Sequence, residues 1–216
     1  MIVERLPIGP MQNVCYLLKD PKTKTTWVVD PAWDPEKIIE RGTTDGHQLS
    51  GLILTHSHYD HANAVDALLE RFDIPVVAHP DEIAFSQSGN GIVSPLRKNV
   101  KEVRDGETLL AGENTITFYH TPGHAPGSLC LSVDQHLLTG DTLFIGGCGR
   151  TDIPGGDAGL LFKSLQKIAA LPGSLVVCPG HDYDEVLQRP LEEEIRMNPY
   201  LHMKKASEFI NAFGPL

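Results

Sequence analysis

The chain has 216 residues and a formal net charge of −10. That acidic balance, with no run of Lys or Arg to track a phosphate backbone, argues against nucleic acid as a partner. Four scattered cysteines (Cys15, Cys130, Cys148 and Cys178) form no CxxC pair, and no segment approaches the roughly 18 apolar residues that span a bilayer. The expectation is a reduced, cytoplasmic, non-membrane protein, with residues 1–216 long enough to bury one core as a single domain.

In chain order, "IVERL", "NVCYLLK" and "TTWVVD" read as short strands separated by Pro and Gly. Asp34-Pro35 is an N-cap followed by proline in the first turn, which predicts a helix from Pro35 to about Glu40 closed by Gly42. "GLILT" is a continuous apolar run, as in a buried strand. The segment after it carries Ala62, Val65, Leu68, Leu69 and Phe72 at helical spacing, predicting one helix over "ANAVDALLERF". "IPVVAH" is strand-like, and residues 81–86 suit a short helix, while 87–100 give little signal. After "DGETLL" come three β-rich runs, "NTITFYH", "SLCLSV" and "QHLLTGD". "AGLLFKSLQKIAAL" predicts an amphipathic helix stopped by Pro172-Gly173, and "SLVVCPGH" a further strand. A short helical tail from about 190 is expected to break near Asn198-Pro199, because proline disfavours a helical residue before it. Strand runs flanked by helices predict an α/β protein: a four-layer αββα sandwich of two mixed sheets with external helices.

Four of the apolar runs end in potential metal ligands. These are His56, His58, Asp60 and His61 in "THSHYDH", His124 in "TPGHAPGS", Asp141 in "TGDTLF" and His181 in "PGHDY". Each position has a plain alternative: a His-x-His is often only a solvated pair, Asp60 could cap a helix, and Asp141 could form a turn. Recurrence of ligand types at four strand ends is what a metal centre assembled by the fold requires. Imidazole and carboxylate suit zinc first, with iron or manganese as alternatives. Seven ligands exceed one tetrahedral site, so two divalent ions are expected, with Asp141 as the bridging carboxylate. His47, His79, His120, His136 and His202 have no such company, and Cys148 has no partner that would make it a nucleophile.

In this order the motifs resemble the metallo-β-lactamase fold superfamily, and within it the glyoxalase II branch of hydroxyacylglutathione hydrolases and the related persulfide dioxygenases. The resemblance implies His56, His58 and His124 on one metal, Asp60, His61 and His181 on the other, and Asp141 between them. It implies a metal-dependent thioester hydrolase using hydroxide held between the metals, with Asp60 as a catalytic group that orients it. A small-molecule thioester or glutathione conjugate would be the substrate, contacted by Arg150 and Tyr183; Asp152 stands where a second contact tyrosine falls in larger relatives. The alternative is a single Fe(II) persulfide dioxygenase using His56, His124 and Asp141 and acting on glutathione persulfide, and a metal-binding module without catalysis ranks below both. Tyr59, where the dioxygenases carry alanine, and "GRTDIPGGD" lean toward the hydrolases.

Overall fold

The computed structural model describes residues 1–89 and 92–212. Its first sheet holds β1 (Ile2–Ile8), β2 (Asn13–Asp20), β3 (Thr25–Val29), β4 (Gln48–Ile53), β5 (Val76–Ala78) and β6 (Val100–Glu102), in that spatial order. β1, β2 and β3 pair antiparallel, whereas β3 through β6 run parallel. The second sheet contains β7 (Thr108–Ala111), β8 (Asn114–His120), β9 (Leu129–Val133) and β10 (His136–Gly140) as an antiparallel meander. A two-stranded ribbon of β11 (Leu143–Phe144) and β12 (Gly147–Cys148) follows. β13 (Val176–Pro179) then returns to the second sheet parallel to β10, and β14 (Arg189–Pro190) closes its edge.

Period-two patterning explains the layers. Along β2, Val14, Tyr16 and Leu18 face the second sheet, where they join Ile116, Phe118, Leu129 and Leu131 in the core between the sheets. The alternate residues Cys15 and Leu17 face outward, into a second core under α1 (Pro35–Gly42) and α3 (Val65–Leu69). Every β2 residue is therefore buried, as expected of a strand covered on both faces. On the far side, Cys130, Leu137 and Val177 meet Leu161, Leu165 and Ile168 of α5 (Ala158–Ala169), beneath α6 (Leu191–Met197), α7 (Pro199–His202) and α8 (Ala206–Ala212). The αββα order is the predicted one, and the tail breaks at Asn198, whose side chain caps α7.

The helix predicted over residues 62–72 is a correction. Two short helices, α2 (Tyr59–Ala62) and α3, stand in its place. The break comes where the Ala64 N–H donates to the Pro31 carbonyl, 3.2 Å away, outside either helix. α4 (Pro80–Ser86) starts one residue earlier than expected, with His79 as its cap. β4 also begins earlier and stops at Ile53, leaving Leu54 to His58 as a junction between strand and helix. No helix among the described residues is long and apolar enough to cross a membrane.

Candidate metal centre

β3 and β4 run parallel in the first sheet, as do β10 and β13 in the second. Asp30, His56, Asp141 and His181 follow the carboxyl ends of these strands, the usual rim for ligands in α/β sheets. The β4 junction supplies His56 and His58, and α2 directly after it Asp60 and His61; the loops following β8, β10 and β13 of the second sheet supply His124, Asp141 and His181. All seven predicted residues come together there. His56, His58 and His124 form one group and Asp60, His61 and His181 another, the ligand atoms of each lying within 4.8 Å of one another.

The proton positions on the rings fit a pair of cations. His61 Nδ1 lies 3.0 Å from Asp30 Oδ2, His181 Nδ1 2.8 Å from the Met11 carbonyl and His124 Nδ1 2.9 Å from the Arg150 carbonyl. Each partner only accepts, so the proton sits on Nδ1 and Nε2 turns inward. His56 follows suit: the Thr55 hydroxyl donates to Asp30 at 2.7 Å and receives His56 Nδ1 at 3.0 Å. His56 Nε2 is then buried without a hydrogen-bond partner, and Asp141 Oδ1, buried too, makes no well-aligned hydrogen bond among the described residues and has only the His61 ring beside it. Such orphaned acceptors are costly unless a cation takes them. His58 instead points Nδ1 at His124 Nε2, 2.9 Å away.

Asp141 lies between the groups. Its Oδ1 is 3.3 Å from His61 Nε2, and its Oδ2 is 3.4 Å from His181 Nε2 and 3.6 Å from His124 Nε2. Two glycines allow this approach. A Cβ on Gly180 would come within 2.6 Å of Asp141 Oδ1, and Gly140, at φ +47°, would push one to 2.5 Å from the Thr55 hydroxyl.

The rings also divide electrostatically. Burial, reinforced by neighbouring rings, holds His56 well below its ordinary range and His58 down at about 3; burial likewise lowers His124. For His61 and His181 burial acts in the same direction, but Asp141 outweighs it with help from Asp30 and Asp60. His61 is raised well above its ordinary range, and His181 to about 9. Asp60 is held well below the usual carboxylate range: burial opposes its charge, but His181, His61 and Asn13 prevail. It lies in the first turn of α2 and is not the cap.

Three supporting residues were missed in the sequence. Asp30, at φ +53°, spends one oxygen on the Thr55 N–H and the other on Thr55 and His61; its only sequence signal is that "VVD" ends an apolar run in a carboxylate. Buried Glu82 accepts from Ser57 N, Ser57 Oγ and Gly127 N at 2.7, 2.6 and 2.9 Å, tying two ligand loops to α4. Asn13 donates to Asp60. His79 and His120 stack face to face at 3.7 Å, contrary to the expectation that neither had company. With Asp81 they form a further group that could hold a metal, although His79 Nδ1 already accepts from Asp81 N.

Met11, Ile92, Arg150, Ile153 and Tyr183 line the cleft above the site. Tyr183 is 56% exposed and stacks on His181 at 4.7 Å. Arg150 reaches the mouth, but its Nε and a terminal nitrogen pair with both Asp152 oxygens at 2.7 and 2.8 Å. The Cys148 thiol is pushed up to about 12 by burial, unsuited to a nucleophile.

The profile of the metallo-beta-lactamase superfamily matches residues 8–181, and the chain belongs to that superfamily. Over 200 residues it is 34% identical to BaeB of Bacillus velezensis, described as a probable polyketide biosynthesis zinc-dependent hydrolase; the match covers 92% of this chain and 86% of that protein. ETHE1 from Myxococcus xanthus superposes with a TM-score of 0.84 at 31% identity, over 99% of this chain and 90% of that one. TTHA1623, solved in a di-iron-bound form, gives 0.79 at 32% identity, over 92% and 100% respectively.

Proposed function

We propose that this protein is a metal-dependent hydrolase of thioesters, of the hydroxyacylglutathione hydrolase type. The observation that carries this reading is the position of Asp141, one carboxylate shared between two adjacent ligand groups. His56, His58 and His124 would hold one divalent ion, Asp60, His61 and His181 the other, and Asp141 both. Ions bound there supply Lewis acidity and lower the pKa of water from about 16 toward about 7.

The chain's own residues do the rest. Asp60, kept ionised, accepts a hydrogen bond from the attacking water and orients it. Met11, Ile92 and Ile153 give the acyl group an apolar wall. The Tyr183 phenol, pushed up to about 12 by burial and then by Asp141 and Asp60, stays protonated and donates to the substrate. A thiolate leaves without a dedicated acid, since thiols ionise near pH 8.5, which fits a site with no separate acid–base pair. Zinc is favoured by the description of BaeB and iron by the di-iron form of TTHA1623.

A second reading, a single-Fe(II) dioxygenase acting on a persulfide, draws support from the electrostatic division of the rings. Before any cation binds, burial keeps His56, His58 and His124 neutral, whereas Asp141 draws additional protons onto His61 and His181. Elemental analysis of protein purified without added metal, with parallel assays of thioester hydrolysis and persulfide-dependent oxygen uptake, separates the two. Two metals with hydrolysis is the expected result; one iron with oxygen uptake overturns it.

A further inference from the structure

Asn13 opens β2, is 2% exposed, and is the bridge partner of His181. The Trp33 indole N–H lies 2.9 Å from its Oδ1. An indole nitrogen can only donate, so the oxygen end of the amide faces Trp33 and the NH₂ end faces Asp60. Asn13 Nδ2 donates to the Asp60 carbonyl at 3.0 Å and to Asp60 Oδ2 at 2.9 Å. That Oδ2 is the oxygen lying 3.3 Å from His181 Nε2 and 3.5 Å from His61 Nε2.

Trp33 is itself held in a costly conformation. Its φ is +65°, a region that bulky residues rarely adopt. Its backbone N–H donates to Asn63 Oδ1, its ring meets Tyr59 edge-on at 5.8 Å, and it covers Gly9, where any Cβ would come within 2.1 Å of the indole. Strain maintained beside a site by several contacts points to a functional use. Among the described contacts neither residue reaches the three histidines of the other group: His56 is held by Thr55, His124 by the Arg150 carbonyl, and His58 meets His124.

We propose that Asn13, aimed by Trp33, is a positioning residue that fixes Asp60 for the second metal, so that this pair sets whether the centre holds one ion or two. The inference rests on the two-metal reading above.

The test is competitive zinc titration against a chelator for wild type, Asn13→Ala and Trp33→Phe, with visible absorption of the cobalt(II)-loaded proteins as the spectroscopic readout. Wild type takes two equivalents. Both variants keep the first at wild-type affinity and bind the second about 10–100-fold more weakly, the range for loss of a group supporting a ligand. In their cobalt titrations the spectral change that follows the first equivalent needs correspondingly more metal than in wild type. Trp33→Phe keeps an aromatic ring while removing the N–H and the second ring of the indole, so it carries the test if Asn13→Ala fails to fold. Unchanged second-site affinity, or equal weakening of both sites, overturns the inference and leaves the two-metal reading intact. A single equivalent in wild type overturns both.

Discussion

The Asp30 carboxylate stands 3.0 Å from His61 Nδ1 and, through the Thr55 hydroxyl at 2.7 Å, also fixes His56. One side chain thus orients a ring in each ligand group. Asp30→Ala is expected to weaken both metals, by about 10–100-fold each, in contrast to the one-sided effect of Asn13→Ala. Metal titration of the two variants side by side checks this; a one-sided loss in Asp30→Ala would contradict it.

The division of the rings predicts unequal proton release. His58 near 3 is already neutral at pH 7, while His181 near 9 must lose its proton to bind metal. Affinity for the second ion should fall about tenfold per pH unit per proton displaced as pH drops below 9, and affinity for the first, whose rings burial holds neutral, should fall less over the same range. Calorimetry in buffers of different ionisation enthalpy measures the protons released at each step.

The same shifts act on the stability of protein stripped of metal, with opposite signs. His181, raised above its ordinary 6.5, contributes stability that is complete below 6.5 and lost as pH rises through about 9. His58, lowered to about 3, contributes stability that is present above 6.5 and lost as pH falls from 6.5 toward 3. Urea titrations at pH 4, 6.5 and 9.5 on wild type, His181→Gln and His58→Gln should show each variant with a shallower arm on its own side of the profile, the remainder coming from His61 on the alkaline side and from His56 and His124 on the acid side.

Glu82 receives three hydrogen bonds in a fully buried position. Glu82→Ala leaves those donors unsatisfied, and with about 1–3 kcal/mol for each, a destabilisation of at least about 3 kcal/mol is expected. Denaturant unfolding of the metal-loaded protein measures it. Glu82→Gln, which retains an acceptor oxygen, should cost less.

The ion pair of Arg150 with Asp152 bears on substrate charge. Asp152→Asn frees the guanidinium, so the KM for a carboxylate-bearing thioester such as S-lactoylglutathione should fall about two- to fivefold, the scale of an exposed pair. An uncharged N-acetylcysteamine thioester should be unaffected. Equal changes for both substrates would show that the Arg150 charge takes no part in recognition.

The candidate ligand residues were legible because metal-capable side chains recur at or just beyond the ends of four apolar runs, a pattern the sequence states directly. Asp30 carried the same signal in weaker form, since a lone carboxylate before proline also makes an ordinary turn. Asn13 and Glu82 carried none. Asn13 matters because the chain beside it meets the His181 loop, with Val14 N–H bonded to the Gly180 carbonyl at 2.8 Å, and Glu82 because α4 turns inward beneath two loops. Both are facts of tertiary packing with no trace in local composition. The split at Ala64 was hidden for the same reason, its cause lying in Pro31. The strands β11, β12 and β14 are two residues long, too short for any period to show.

Each ligand group draws on both sheets: His56 and His58 meet His124, and Asp60 and His61 meet His181. The metal centre is therefore a caliper across the sandwich. A substitution at Phe118 or Leu131, remote from either ligand group, that lets one sheet slide over the other should alter the spacing of the two groups as well as the packing of the interior.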